Sequence, residues 1–481
     1  MPNTEMRPDV YKEVVKMTFQ RVRRVAGFGA AALVVGLVAT GCSGAGAEPD
    51  AAPTLDPDAK VTIRVGDMPT EASAANLEAF KKRVAEFEEL HPNITVKGEE
   101  TRFDVSTFNA LLVGGTLPTT LVVPRTNIQQ LLQNEQVKDL TAFVKDDELL
   151  AQQNPVLTEP AQDEEGNTYG IATNAYTMGL VYNRDLYAQA GLDPDAPPTT
   201  WDEVRENAIA ISKSTGKTGF IIPTTNNGGG WVTTALTYAF GGTMEDVKGD
   251  EVTVTADNEG TEQALTFLQG LRWDDDAAGA TFLLKYADVL DGLGAGGIGQ
   301  TVIGADQYNT LVVSRGMDPD DVGIAPIPQE EDGLGALGGG SIAIVNPKAT
   351  DNETAAAIEW NKFLYLNRYV DEDAAVAYAK ANQADDLPVG VPEVPLFDEK
   401  RYEEYLGWIE PYLNVPREHF TQYLDSLNTL PIVTEPAVGA QSIYGAIDAV
   451  VQQVLTEKGT DIGAALTNAS ATAQSAIDAA Q

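Results

Sequence analysis

The sequence predicts an α/β protein whose chain is divided between two lobes. Short apolar strands alternate with helices that carry apolar residues at steps of three and four, as helices on the faces of a sheet do. One long extended stretch, residues 170–183, interrupts this alternation, as a connection between two lobes would. With 481 residues, of which 43% are hydrophobic, the chain can bury a large core and form two or three domains.

The first part of the chain reads as repeated strand and helix units. Leu77, Phe80, Val84, Phe87 and Leu90 recur at helical spacing, and the proline that follows His91 ends this helix. Strands are predicted at residues 61–65, 94–96 and 121–123, and further helices at residues 106–113, 127–132 and 138–144.

A second α/β unit follows the extended stretch. Thr200 and Glu203 have the spacing of a capping box, which predicts a helix that begins at Trp201. The run Asn226–Gly230, with the glycines Gly228–Gly230, is assigned to a loop because it is too rich in glycine to be core. The remaining strands are predicted at residues 220–222, 298–303 and 340–345, and helices at residues 231–240, 259–271, 351–366, 438–455 and 462–479.

The N-terminus has the features of a secretory signal that ends at the single cysteine, Cys42. Three arginines precede an apolar run of about 15 residues, shorter than the roughly 20 that span a membrane. The tetrapeptide Ala39 to Cys42 resembles the bacterial lipobox, in which the cysteine carries a lipid, although Ala39 stands where leucine is usual. We expect residues 1–41 to be a signal peptide, within which residues 1–16 would be dropped if Met17 is the start. Residues 42–59 are small, polar and proline-rich, and we expect a lipid-anchored tether there.

The composition disfavours nucleic acid and anionic membrane surfaces as partners, because the formal net charge is −39. Two motifs that resemble a cofactor site and a metal site do not meet the requirements of those sites. The run Gly292–Gly297 fits a dinucleotide fingerprint but precedes a strand, which predicts a loop, and Asp318–Gly323 lacks calcium ligands because Val322 replaces one. His91 and His419 form no recognisable catalytic group. We therefore expect no cofactor, no metal and no catalytic residue.

Aromatic residues beside loops are the positive signal for a binding site. Tyr176 lies in the extended stretch, Trp231 follows the glycine run, and Tyr308 follows a predicted strand. Each of them is as compatible with core packing as with ligand contact. Together they favour a cleft.

Several motifs occur in the order and spacing of one protein family, namely Tyr169 to Ile171, Leu180 to Leu186, Ala190 to Asp193 and Pro198 to Glu203. Shorter matches follow at residues 240–242, 296–299, 322–328 and 339–342. With these motifs, the chain from about Lys60 onward resembles the extracellular solute-binding proteins (family 1) of bacterial ABC sugar importers, in their maltose-binding-like branch and lipoprotein form. One departure is Pro118-Thr119, where the family has Pro-Asp.

The resemblance implies a two-lobed periplasmic-binding-protein fold (type II-like), in which each lobe is a sheet flanked by helices. Residues 60–172 plus 341–400 would form the N-terminal lobe, and residues 176–337 plus part of 401–481 the C-terminal lobe. Residues 169–182 and 337–342 would be the hinge crossovers.

The resemblance also implies which residues line the cleft between the lobes. By their position in the family, the ligand-binding residues would be Glu71, Arg102, Asp104, Asn174, Tyr176, Asn227, Trp231, Asp306, Tyr308, Gly340, Ser341, Gln441 and Tyr444. Carboxylate, amide and guanidinium groups beside aromatic rings suit a sugar, which has hydroxyls around an apolar ring face.

The expected function is that of a monomeric receptor, not an enzyme, that captures a sugar by lobe closure and delivers it to the transmembrane subunits of an ABC permease. It would be exported and anchored by the lipid on Cys42 to the outer face of the cytoplasmic membrane. A lipid-anchored glycoside hydrolase remains an alternative, because the many acidic residues offer carboxylate pairs. A binding protein for a polyol or another non-sugar solute is a further alternative.

Overall fold

A computed structural model describes residues 55–248 and 251–479, so Cys42 and the predicted signal peptide lie outside the described residues. The strands are β1 (Val61–Val65), β2 (Ile94–Gly98), β3 (Thr120–Pro124), β4 (Gly170–Asn183), β5 (Thr218–Phe220), β6 (Glu245–Lys248), β7 (Glu251–Val254), β8 (Ile298–Gly304), β9 (Val322–Pro326), β10 (Ala336–Val345) and β11 (Ile432–Thr434). In this part of the chain, no helix combines the length and the apolar character that crossing a membrane requires.

The helices lie on the faces of the sheet and are connected by short 3-10 turns. They are α1 (Ala74–Leu90), α2 (Val105–Gly114), α3 (Ile128–Gln133), α4 (Thr141–Val144), α5 (Pro155–Thr158), α6 (Arg184–Gln189), α7 (Trp201–Thr215), α8 (Gly228–Ala239), α9 (Glu259–Trp273), α10 (Tyr286–Gly294), α11 (Asp351–Asn361), α12 (Glu372–Ala384), α13 (Glu399–Ile409), α14 (Thr421–Ser426), α15 (Ala440–Thr456) and α16 (Ile462–Asp478).

A nine-stranded sheet with the order β2-β1-β3-β10-β4-β8-β5 organises the molecule, with β9 paired to β4 and β11 paired to β10. Strands β1, β2 and β3 are parallel, and β10 runs antiparallel to both β3 and β4. The first half of β4 pairs with β10, whereas its second half pairs with β8 and β9. Strand β4 therefore belongs to both halves of the sheet.

The buried side chains form separate clusters on the two halves of the sheet. One cluster takes its residues from 178–337 and 420–477, and the other two take theirs from 61–172 and 342–409. The change from one half to the other falls within β4 and within β10. A core divided in this way leaves room for a cleft at the point where β4 and β10 pass from one half of the sheet to the other.

Most of the predicted elements are confirmed, and the extended stretch 170–183 is strand β4 along its whole length. The loop predicted at Gly228–Gly230 is wrong, because these glycines form the buried first turn of α8. Their lack of side chains lets α8 approach α15: a Cβ on Gly230 would stand 2.2 Å from the carbonyl oxygen of Tyr444.

The capping box predicted at the start of α7 is present. The hydroxyl of Thr200 accepts a hydrogen bond from the amide of Glu203 at 3.2 Å, and the carboxylate of Glu203 accepts one from the amide of Thr200. Trp201 and Val204 then enter the core. The box satisfies donors that the first helical turn cannot pair internally.

We expect Thr200→Ala to lower the free energy of unfolding by about 1 kcal/mol, the usual cost of losing a threonine N-cap. Urea denaturation measures this change. The matched control is Thr467→Ala, on an exposed turn of α16, where the hydroxyl bonds only the carbonyl of Gly463 and the change should be below about 0.5 kcal/mol. Equal effects of the two variants would contradict the capping interpretation.

Candidate functional site

The middle of β4 is open to solvent although both of its ends are buried. Asn174 is exposed and Tyr176 half-buried, while the residues before and after them are buried. On β10, Gly340 and Ser341 are half-buried between buried neighbours, and Ser341 pairs with Asn174. A strand that is covered at its ends and open in its middle forms the floor of a cleft, and we refer to this surface as the β4–β10 floor.

Three aromatic side chains, Tyr176, Trp231 and Tyr286, form a row of neighbouring rings beside the β4–β10 floor. The ring centroids of Tyr176 and Trp231 are 6.4 Å apart, and those of Trp231 and Tyr286 are 5.7 Å apart, with both pairs edge to face. All three side chains are half-buried. The ring of Tyr176 lies over Gly339, where a Cβ would come within 2.8 Å of it. We call these three residues the aromatic wall.

A carboxylate fixes the orientation of one ring in the aromatic wall. Glu435, which follows β11, accepts hydrogen bonds from the hydroxyls of Tyr176 and Tyr444, each at 2.9 Å. Burial first, and then the negative charge of Glu435, raise the pKa of both phenols. Both tyrosines therefore stay protonated and act as donors. Glu435 and Tyr286 were not among the predicted site residues.

Asp306 comes directly after β8, so it lies at the carboxyl end of a strand, where α/β sheets usually bind ligands. Its side chain is exposed and accepts a hydrogen bond from the side-chain amide of Gln307 at 3.3 Å. Partial desolvation by the surrounding residues raises the pKa of its carboxyl, and burial, followed by the charge of Asp306, raises the pKa of Tyr286. Asp306 thus presents a carboxylate beside the aromatic wall.

A buried carboxylate holds the loop and the helix that carry Trp231. Asp448 on α15 is 6% exposed and accepts hydrogen bonds from the amides of Asn227, at 2.7 Å, and Gly230, at 2.8 Å. Asn227 is left-handed, with a φ of 65°. Its side-chain amide donates to the side-chain oxygen of Gln441 at 2.8 Å, so two predicted site residues meet here.

On the side of the sheet that contains β1 and β2, the predicted residues Glu71 and Arg102 follow these strands, and both are exposed. Asp67, which was not predicted, lies close to Arg102: it follows β1 and accepts a hydrogen bond from the amide of Val122 at 2.8 Å. Burial raises the pKa of the Asp67 carboxyl, and the charge of Arg102 partly offsets this effect. Arg102 thus brings a positive charge to this side.

Three predicted residues have structural partners that limit their contact with a ligand. Asp104 is the N-cap of α2: its Oδ1 accepts bonds from the Ser106 hydroxyl at 2.5 Å and the Thr107 amide at 3.1 Å. The Ser106 bond is the largest cause of its lowered pKa. The prediction that Tyr308 contacts the ligand is corrected, because this residue is only 1% exposed and its ring packs against Phe420. Tyr444 is 2% exposed, so it reaches the site only through Glu435.

A second concavity lies away from the β4–β10 floor. It is a groove of about 510 Å³ between α15 and α16, lined mostly by alanines and small polar residues, and Gln441 stands at one end of it. It contains neither the aromatic rings nor the carboxylates described above. The β4–β10 floor and its two sides therefore form the candidate site.

The pKa of Asp306 leads to a stability prediction. A carboxyl whose pKa is raised by folding binds its proton more tightly in the native state, so stability falls as pH rises from about 3.9, the unfolded value, through the native value. Asp306→Asn removes this loss and should raise the free energy of unfolding at pH 7, by less than about 1 kcal/mol because the carboxylate still contacts water. Urea denaturation at pH 7 and below pH 4 measures the effect. A variant that is less stable at pH 7 would contradict it.

Comparisons with known proteins agree with this architecture. Residues 72–371 match the sequence model of the bacterial extracellular solute-binding protein family. A probable amino-acid ABC transporter periplasmic-binding protein of Sinorhizobium fredii is 26% identical over 216 residues, which are 40% of this chain and 45% of that protein. The match thus spans less than half the length of this relative.

Solved structures extend the comparison to the whole fold. The cyclic alpha-maltosyl-1,6-maltose binding protein of Arthrobacter globiformis superposes with a TM-score of 0.65 at 20% identity, over 87% of this chain and 99% of that one. Maltose-bound MalE3 of T. maritima gives 0.63 at 20% identity, over 86% and 100%. The predicted two-lobed periplasmic-binding-protein fold is confirmed.

Proposed function

Because the chain belongs to the bacterial extracellular solute-binding protein family, we propose that it captures a carbohydrate on the β4–β10 floor and delivers it to an ABC permease. The observation that carries the choice of a carbohydrate is the aromatic wall, three half-buried rings beside the carboxylate of Asp306. Two neighbours of the same fold are described as a maltosyl-maltose binding protein and a maltose complex, which agrees with this choice.

The polar groups around the aromatic wall suit the hydroxyls of a sugar. Trp231 offers an apolar face for the sugar ring, and burying ~100 Å² of apolar surface there would contribute about 2.5 kcal/mol before the entropic cost of association. Asp306 accepts hydrogen bonds from hydroxyls, the amides of Asn174 and Gln441 can both donate and accept, and Arg102 donates from the opposite side. Asn227, Gly340 and Ser341 complete the proposed contact set.

Capture would occur by closure of two lobes. We assign residues 60–172 plus 341–400 to one lobe and 176–337 plus part of 401–481 to the other, with 169–182 and 337–342 as hinges. The separate cores on the two halves of the sheet support this assignment. A ligand that contacts both sides of the floor favours the closed state, because only that state makes both sets of contacts.

The protein would act as a receptor and leave its ligand unchanged. The alternative of a glycoside hydrolase draws on the two carboxylates Asp306 and Glu435, which both lie beside Tyr176. Glu435 is already bonded to two tyrosine hydroxyls, which favours a structural role for it. A polyol or other non-sugar solute stays a second alternative, for which the aromatic wall would matter less than Asp306 and Glu71.

The receptor would be exported as a monomer and anchored through a lipid on Cys42. Residues 42–59 would hold it near the permease at the outer face of the cytoplasmic membrane. The lipobox-like sequence before Cys42 supports the anchor. The matched family consists of extracellular proteins, which supports export.

Thermal unfolding of the purified protein against a panel of mono- and oligosaccharides tests the proposal. A ligand that binds only the folded state raises the midpoint with concentration. We expect one group of sugars to raise it, and chromatography to recover the bound sugar intact. Cleavage of the sugar would support the hydrolase instead. A midpoint that no sugar changes would contradict the carbohydrate assignment.

A further inference from the structure

Two carboxylates, those of Asp306 and Glu435, lie beside the aromatic wall. Burial raises the pKa of Tyr176 most, and the negative charges of Glu435 and then Asp306 raise it further. Among the ion pairs of residues 55–248 and 251–479, no lysine or arginine pairs with either carboxylate. Glu435 accepts hydrogen bonds from two phenols, whereas the partners of the Asp306 carboxylate are its own backbone amide and the side-chain amide of Gln307, at 3.3 Å.

Closure of the lobes would make this arrangement costly. A carboxylate that leaves water without a compensating charge loses several kcal/mol of solvation. Arg102, on the opposite side, already interacts with the carboxylate of Asp67. A positively charged group on the ligand would compensate Asp306 in the closed state.

The aromatic wall suits a positive charge as well as a sugar ring. A cation near the face of a tryptophan or tyrosine is attracted by the π electrons, by ~0.5–1 kcal/mol in water and more when water is excluded. Tyr176, Trp231 and Tyr286 supply three such rings. The carboxylate of Asp306 lies next to them, because a Cβ on Gly304 would touch an oxygen of Asp306 and lie 3.9 Å from the ring of Tyr176. The formal net charge of −39 would also attract cationic solutes toward the protein.

We propose that the solute is a carbohydrate bearing a protonated amino group, which lies between the carboxylate of Asp306 and the aromatic wall. This proposal rests on the proposed carbohydrate function and makes it more specific. Neutral sugars can also donate hydroxyl hydrogen bonds to Asp306, but they leave its charge uncompensated. The amino group supplies both the hydrogen bonds and the opposite charge.

Matched sugars that differ only in the substituent at C2 of each ring test the proposal. Isothermal titration calorimetry would compare glucose, glucosamine and N-acetylglucosamine, and then cellobiose, its 2,2′-diamino counterpart and its di-N-acetyl counterpart, with maltose as a further neutral sugar. The protein variants are Asp306→Asn, which keeps the shape and one acceptor oxygen, and the charge control Asp257→Asn, an exposed aspartate in the segment between β7 and α9.

We expect an amino sugar to bind at least tenfold more tightly than its neutral and N-acetylated counterparts. Asp306→Asn should abolish this difference and Asp257→Asn should preserve it, and high salt should reduce it. A neutral sugar that binds as tightly as its amino counterpart, or maltose binding without any amino sugar, would overturn the proposal and leave the carbohydrate function intact. The absence of binding by either class would overturn both.

Discussion

Asp448→Ala is expected to lower the free energy of unfolding by about 3 kcal/mol. The variant leaves the amides of Asn227 and Gly230 without their acceptor in a buried position, and each unpaired buried donor costs about 1–3 kcal/mol. It also releases the start of α8 from α15, so that Trp231 is no longer held beside Tyr176. Urea denaturation measures the stability, and sugar titration measures the second effect.

The control for this prediction is Asp461→Ala. Asp461 is the N-cap of α16 and, like Asp448, accepts a backbone hydrogen bond at the start of a helix, from the amide of Ala464 at 3.0 Å, but it is exposed. Water can replace it, so the decrease in stability should be about 1 kcal/mol. Equal decreases for the two variants, or a decrease below about 1 kcal/mol for Asp448→Ala, would show that Asp448 does not secure α8.

Trp231→Ala should weaken sugar binding by roughly 60-fold, which corresponds to about 2.5 kcal/mol for the ~100 Å² of apolar ring surface that the sugar no longer covers. The effect on stability should be smaller than the effect on binding, because Trp231 is half-buried at the edge of the core. Calorimetry with the sugar that gives the largest thermal shift measures the dissociation constant.

Tyr378→Ala is the matched control, because Tyr378 is 39% exposed and packs under Arg368, away from the β4–β10 floor. The Tyr378→Ala variant should bind the sugar with the same dissociation constant as the unchanged protein. Trp231→Phe keeps an aromatic face and should retain most of the affinity. A Trp231→Ala variant that binds sugar normally would remove the aromatic wall from the ligand site.

The sequence predicted well those elements that depend on local chemistry. The capping box at Thr200 and Glu203 sets the start of α7 through contacts three residues apart. Apolar residues, threonines and tyrosines make up most of 170–183 and predicted β4, because a strand that is buried over most of its length carries few polar side chains. The family motifs then linked these elements to a two-lobed fold.

Features that depend on long-range contacts were missed or misassigned. Nothing near Glu435 in the sequence indicates the bonds to Tyr176, which is far away along the chain. The glycines before Trp231 were assigned to a loop because their packing partner, the backbone of Tyr444, lies on a distant helix. Tyr308 follows a strand as a ligand contact would, but Phe420 covers its ring.

Asp448 could have been recognised from the sequence. It lies on the stripe of α15 that Ile443, Tyr444, Ile447 and Val451 define at helical spacing, so an ionisable group was due to be buried there. A buried carboxylate needs donors. Its partners, however, belong to the glycine run before Trp231, and only the folded chain brings the two together.

Hydrogen–deuterium exchange, with and without the sugar that raises the unfolding midpoint, tests the location of the site most directly. We predict that the sugar slows exchange in peptides that cover Asn174 to Tyr176, Asn227 to Trp231, Asp306 and the Gly340–Ser341 pair. These segments are distant in sequence and meet only at the β4–β10 floor. Protection confined to the groove between α15 and α16, with no change on β4 or β10, would contradict the account.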